Sequence, residues 1–299
     1  MALRIVKSSE PIHVDRINIC IYAQPGVGKT SLAFTADEPL VLDFDRGAHR
    51  AANRRDSVSV NSWADVENMT ADDLAPYKTI VLDTAGRALD ALATDIIKKN
   101  AKMGKGGGAL SLQGFGELKA RYAAFSRQLN SFGKDLVLVC HMDEQRNGDD
   151  VIERLDAQGS SKGEIYKSVD AMGRIFVRSG KRYLDFSPRE GSFGKNPAQL
   201  AELEYPHPSV KPHFLAETIQ TIKDTLNQMS AEQTAAQKIA DDWSLAIADF
   251  ATAEDFNQAL PMIKKAPKAT QALFNKTALA KGLHFNDKTK AYEEVAVVA

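Results

Sequence analysis

Ala23-Gln24-Pro25-Gly26-Val27-Gly28-Lys29-Thr30 follows the apolar run Ile17-Asn18-Ile19-Cys20-Ile21-Tyr22 and leads into Ser31-Leu32-Ala33-Phe34-Thr35-Ala36. The order reads as strand, glycine-rich turn, helix, with Lys-Thr closing the turn. That is the pattern of a phosphate-binding P-loop. Gly26 and Gly28 let the backbone curl so that successive N–H groups point inward, beside the positive end of the following helix. Lys29 is then placed to reach the β- and γ-phosphates of a nucleotide, and the Thr30 hydroxyl to ligate Mg²⁺. Residues Ala23 to Thr30, with Ser31 behind them, form the expected cradle. Its first glycine position holds Ala23, small enough for a tight turn.

Working outward, short apolar runs alternate with helical patterns through about residue 190, the mark of an α/β layered domain. Candidate strands are 17–22, 40–44, 79–82, 136–140, 174–178 and 182–186; candidate helices are 87–99 and 115–132. The early strands are Val, Ile and Leu runs with little alternation, as in a parallel sheet buried on both faces. The stretch Lys102-Met103-Gly104-Lys105-Gly106-Gly107-Gly108 has four glycines in five positions, which predicts irregular backbone. A polar stretch from Asp143 to Gly163 reads as a second loop. A proline-rich break at 206–212 precedes a helical run, and from Ser230 the sequence reads as helical throughout. Ser230-Ala231-Glu232-Gln233 and the capping-box pattern Thr252-Ala253-Glu254-Asp255 mark helix starts. The expected division is therefore 1–229 as nucleotide-binding core and 230–299 as a small helical region with frayed final residues.

Of the 299 residues, 38 are basic and 39 acidic, a net charge of −1, so any nucleic-acid surface must be a local patch. Cys20 and Cys140 both lie in strand-like runs, which points to reduced, buried thiols in a cytoplasmic protein. No stretch reaches the length of a membrane span, and the first residues lack a signal-peptide apolar region.

Three strand ends carry chemistry. Thr79-Ile80-Val81-Leu82-Asp83 ends in a carboxylate suited to magnesium, directly or through water. Leu40-Val41-Leu42-Asp43-Phe44-Asp45 offers two carboxylates on one side if the strand stays extended. Asp45, the more distal, is the better placed to orient or deprotonate an attacking water; the alternative is a turn residue paired with Arg46. Leu136-Val137-Leu138-Val139-Cys140-His141 places His141 at a polar strand end, where it can sense a γ-phosphate.

The P-loop, the Asp43-Phe44-Asp45 strand end, the Asp83 strand and Cys140-His141 together resemble the RecA-like ATPases encoded by bacteriophages. The match is to the group of phage nucleotide-binding or single-strand-annealing recombination proteins, over about residues 10–225. The resemblance implies a RecA-like α/β core that binds ATP and Mg²⁺, with Asp45 standing where the family has a water-activating glutamate. It likewise implies Asp83 at the magnesium position and His141 at the sensor position. It further implies action on single-stranded DNA in the host cytoplasm, with nucleotide held between protomers of a ring or filament. By the same resemblance, Lys102, Lys105 and Lys162 fall in the DNA-contacting loops, although mobile surface loops are an equal reading. Lys195 falls where a trans-acting lysine would reach a neighbour's γ-phosphate. The helices after residue 230 are then free to meet a recombination or replication partner.

Three other machines share a P-loop. Asp83-Thr84-Ala85-Gly86 fits the Asp-x-x-Gly pattern of a GTPase, but no Asn-Lys-x-Asp guanine-reading motif accompanies it. A small-molecule kinase lacks its arginine-rich lid here. A module using ATP only as a conformational ligand remains compatible with Asp at position 45.

Overall fold

Strands without polar residues need two apolar neighbours, and a computed structural model shows both. It describes residues 5–147, 150–157 and 161–294. The first elements are β1 (Asn18–Ala23), α1 (Lys29–Ala33), β2 (Pro39–Asp43), β3 (Ser57–Ser59), α2 (Ala64–Glu67), β4 (Thr79–Asp83) and α3 (Ala85–Lys99). There follow α4 (Leu112–Ser131), β5 (Asp135–Asn147), β6 (Asp150–Leu155), α5 (Ser161–Ser168), β7 (Ala171–Arg178), β8 (Lys181–Asp185) and β9 (Leu203–Glu204). The last are α6 (Phe214–Asp249), α7 (Ala253–Ile263), α8 (Lys268–Ala280), β10 (Leu283–Asn286) and β11 (Ala291–Glu294).

The main sheet runs β3-β2-β4-β5-β1-β7-β8-β9, parallel from β3 to β7 and antiparallel over β8 and β9. Alternate strand residues divide between its faces. Cys20, Tyr22, Leu42, Leu82 and Leu138 pack with Leu92, Leu118, Tyr122 and Phe125 of α3 and α4. Ile19, Ile21, Val41, Val81 and Val137 pack with Leu32 of α1 and with Leu215, Ile219 and Ile222 of α6. This is the α/β core expected from the sequence: a mostly parallel sheet between helices. β5 lies between β1 and β4, so Asp83 stands two strands from the P-loop strand, about 10 Å away.

The chain forms two compact units, 14–226 on one hand and 1–13 with 227–299 on the other. The boundary thus falls a little before the 229/230 division read from the sequence, and the first residues group with the smaller unit. That unit has its own core, in which Phe256, Phe274 and Tyr292 meet edge-on or tilted at 5.0–5.7 Å.

Several expectations about local structure change. The helix read over 31–36 is the five-residue α1, because Thr35 leaves the helical ladder to accept a hydrogen bond from Leu215 N at 3.0 Å. Helix α6 runs through Ser230 without a break, since no glycine or proline occurs between Phe214 and Asp249. The start signal at Ser230 is overridden, whereas Thr252 and Asp255 do form a capping box. The tail is not helical throughout: α8 stops before Gly282, and β10 and β11 pair as a hairpin. The glycine-rich stretch is ordered by Lys105 N donating to Ala109 O at 2.7 Å and Ser111 N to Met103 O at 2.8 Å. Asp143–Gly163 is not a plain loop. β5 continues past the sheet to Asn147 and pairs antiparallel with β6, ahead of α5.

Candidate phosphate site

The turn between β1 and α1 has the backbone that its glycines permit. Gly26 and Gly28 have φ of +83° and +97°, the left-handed region that strains other residues. At Gly28 a Cβ would also fall 2.6 Å from Arg182 Nη1. Ala23, in the first glycine position, is a strand residue paired in register with His141, and its methyl is fully buried in the core. The departure from glycine therefore costs the turn nothing.

Lys29 is 6% exposed, and its ammonium donates to the carbonyls of Ala23 at 3.1 Å and Gln24 at 2.8 Å. Burial lowers its pKa, opposed mainly by the negative charge of Asp83 and also by that of Asp45. Thr30 Oγ1 donates to Asp83 Oδ2 at 2.5 Å, spanning the gap left by the intervening strand. Burial pushes the Asp83 carboxyl up to about 6; the Thr30 hydrogen bond lowers it, while Asp43 and Asp45 add repulsion. A half-buried hydroxyl and a buried carboxylate that holds its charge at a cost fit a divalent cation, which takes one or two protein oxygens and completes its shell from phosphate and water. Among the described residues no group of three His, Cys, Asp or Glu forms a protein-only cage.

The structure separates Asp43 from Asp45. β2 ends at Asp43, whose carboxylate accepts from Gly47 N at 3.0 Å and Ala48 N at 2.9 Å and so braces the following turn. Beyond it the strand does not stay extended, because Phe44 N and Asp45 N both donate to Asp83 O. Asp45 faces His141, with Oδ2 3.5 Å from Nε2, and Arg87 Nε at 3.8 Å. Arg46 is not its partner; that guanidinium donates to Asn61 Oδ1 at 2.7 Å. His141 Nδ1 is buried with no hydrogen-bond partner among the described residues. Gln24 donates its side-chain amide to the Glu144 carboxylate, and Ser31 Oγ accepts from Ala52 N at 3.1 Å.

Gly26, Gly28, Lys29, Thr30, Ser31, Asp45, Asp83 and His141 line one cavity of about 710 Å³. Arg50 and Arg182 line it too, and sequence reasoning missed both. Arg182 lies on β8, its guanidinium 5.2 Å from the centroid of the Tyr205 ring. Nothing in Lys181-Arg182-Tyr183 distinguishes it from an ordinary exposed strand cation; only the pairing of β7 and β8 brings it beside Gly28.

Of the other lysines named from the sequence, Lys102, Lys105 and Lys195 do not line this cavity. Lys102 and Lys105 are exposed on the loop after α3. Lys162 lies in the first turn of α5, and its side chain is outside the described residues. Lys195 is bridged to Met172 and donates its amine to Val169 O at 2.7 Å, so its amine is tied to its own chain. Gly86, the glycine of the GTPase-like pattern, sits inside α3. A Cβ there would lie 2.8 Å from Asp156 O, so its small size serves packing.

A family model described as an AAA domain matches residues 15–198, more than half of the chain. Among solved structures, a KaiC-like protein from the hyperthermophilic archaeon Pyrococcus horikoshii OT3 aligns over 69% of this chain and 100% of its own. Its identity is 11% and its TM-score 0.38, too distant to add to the argument. No curated protein shows significant similarity to the sequence. The phosphate site and the family match over the same residues agree: the chain belongs to the AAA domain family, and its larger unit is a P-loop ATPase domain.

Proposed function

We propose that the larger unit binds ATP with magnesium and hydrolyses it, with Asp45 as the group that orients and deprotonates the attacking water. The observation that carries this reading is the separation of the two β2 carboxylates. Asp43 is committed to backbone N–H groups, whereas Asp45 lines the cavity and its carboxylate pairs only with the side chains of His141, at 3.5 Å, and Arg87, at 3.8 Å, among the described residues. Lys29, released from the carbonyls of Ala23 and Gln24, binds the β- and γ-phosphate oxygens. Arg50 and Arg182 add positive charge around them. Thr30 and Asp83 would hold the magnesium, which neutralises phosphate charge. The Asp45 carboxylate takes the water's proton as the water oxygen bonds the γ-phosphorus and the bond from that phosphorus to the bridging oxygen breaks, with ADP leaving. His141 hydrogen-bonds the γ-phosphate through the imidazole edge facing the cavity. Because β5 continues from His141 into the β5–β6 hairpin, loss of that bond is passed directly to a segment outside the sheet. Single-turnover ATP hydrolysis by the wild type and by Asp45→Asn tests the assignment. Equal rates would overturn it.

A second reading, supported by the resemblance and by the exposure of Lys102 and Lys105, is that turnover is coupled to single-stranded DNA and accompanies assembly into a ring or filament. The β5–β6 hairpin is a poor phosphate track, with six carboxylates against two arginines from Asp143 to Asp156. The DNA contact is therefore assigned to the Lys102–Lys105 loop. ATP turnover that rises with single-stranded DNA and loses the rise in Lys102→Ala/Lys105→Ala supports this reading. DNA-indifferent turnover sinks it. Light scattering with and without nucleotide reads the assembly.

A further inference from the structure

From Pro261 to Lys281 the smaller unit carries five lysines, Lys264, Lys265, Lys268, Lys276 and Lys281, and no carboxylate. All five are exposed, and none forms an ion pair among the described residues. One of them, Lys264, is part of the wall of an apolar groove of about 300 Å³ that Leu260, Ile263, Leu279, Phe285 and Tyr292 also line. On α8 the groove residues Gln271, Asn275 and Leu279 recur at helical spacing, and Lys268 opens the same stripe three positions earlier. Leu279 is 65% exposed and Phe285 37%, so apolar surface stands in water in a groove whose wall carries Lys264 and no carboxylate.

We propose that this groove docks an acidic peptide segment of a partner protein, one that carries large apolar side chains among its carboxylates. The apolar floor supplies affinity by burying those side chains, and the unpaired lysines select carboxylates at the rim. Nucleic acid fits less well, because Phe285 is the one exposed ring in the wall and base stacking needs several open aromatic faces. A second copy of the same face would bring like charges together.

Fluorescence anisotropy with the full chain tests the proposal. The probe is a labelled, glutamate-rich synthetic peptide with leucine and phenylalanine at i, i+3 and i+7. Saturable binding is expected, weakened about tenfold by Lys264→Glu/Lys268→Glu and about tenfold by Leu279→Ser. These side chains are exposed, and thermal melts confirm that both variants stay folded. Three results would each overturn the idea: no binding of the probe, equal binding of a probe with alanine at the apolar positions, or displacement by a single-stranded oligonucleotide.

Discussion

The phosphate cavity of the larger unit and the groove of the smaller one handle charge in opposite ways. In the cavity, Lys29 and Asp83 are buried, and each is shifted toward its neutral form by loss of water. At the groove, Lys264 stays in solvent beside exposed leucine and phenylalanine, on a segment whose other four lysines are exposed as well. A buried charge costs free energy, and groups with pKa values shifted in this way gather at functional sites. An exposed charge costs little and reveals a function only through its pattern. Substitutions in the cavity should therefore alter both stability and chemistry, and those at the groove rim neither.

The largest effect is expected at Lys29. Lys29→Ala should lower ATP turnover by about a thousandfold or more and remove the rise in melting temperature that nucleotide gives the wild type. Retained turnover would mean that the cavity is not the phosphate site. Next comes Asp45→Asn, for which kcat should fall by about a hundredfold to a thousandfold while KM for ATP changes only a few-fold. A change confined to KM would reassign Asp45 to binding.

Asp83 sharpens the comparison because its two effects have opposite signs. Its carboxyl is raised to about 6 from an ordinary value of 3.8. The folded chain therefore holds that proton more tightly than the unfolded chain, and stability falls as pH rises from about 4 to about 6. Above that range the full cost remains, on the order of 3 kcal/mol. Asp83→Asn should abolish magnesium-dependent turnover yet melt higher than the wild type at neutral pH without nucleotide. The gap between the two melting curves should close toward pH 4. A variant less stable than the wild type at neutral pH would show that the Thr30 hydrogen bond outweighs the burial cost.

The smallest effect separates the two glycines of the turn. Gly26→Ala meets only its positive φ, with nothing within 4 Å of the new methyl, whereas Gly28→Ala also meets Arg182 at 2.6 Å. Chemical denaturation should place Gly28→Ala below Gly26→Ala by about 1 kcal/mol. Equal losses would mean that Arg182 swings aside freely.

Much of the site is legible in the chain because its parts are local. The P-loop is eight consecutive residues, and Asp83 and His141 each follow an apolar run that has one reading as a buried strand. The chain favours Asp45 over Asp43 only for lying further along an extended strand; the turn that parts them depends on the hydrogen bonds to Asp83 O, which no local pattern records. The Asp143–Gly163 segment misled because its charges read as loop; its strands face solvent beyond the sheet, where polar residues need no apolar partner. The hairpin at 283–294 was hidden by a helix-rich context, although Gly282 at φ +78° marked where the helix had to stop.

By itself, then, the sequence determined that this protein has a buried, mostly parallel sheet and a phosphate-binding turn, because runs of Val, Ile and Leu and the glycine spacing admit few other conformations. The tertiary structure alone decided that Asp43 is taken up by the following turn while Asp45 lines the cavity, and that Arg50 and Arg182 line it too. Those outcomes depend on residues far apart in the chain meeting at particular strand registers. A side chain's direction within the fold is set by that register, and no local pattern records it.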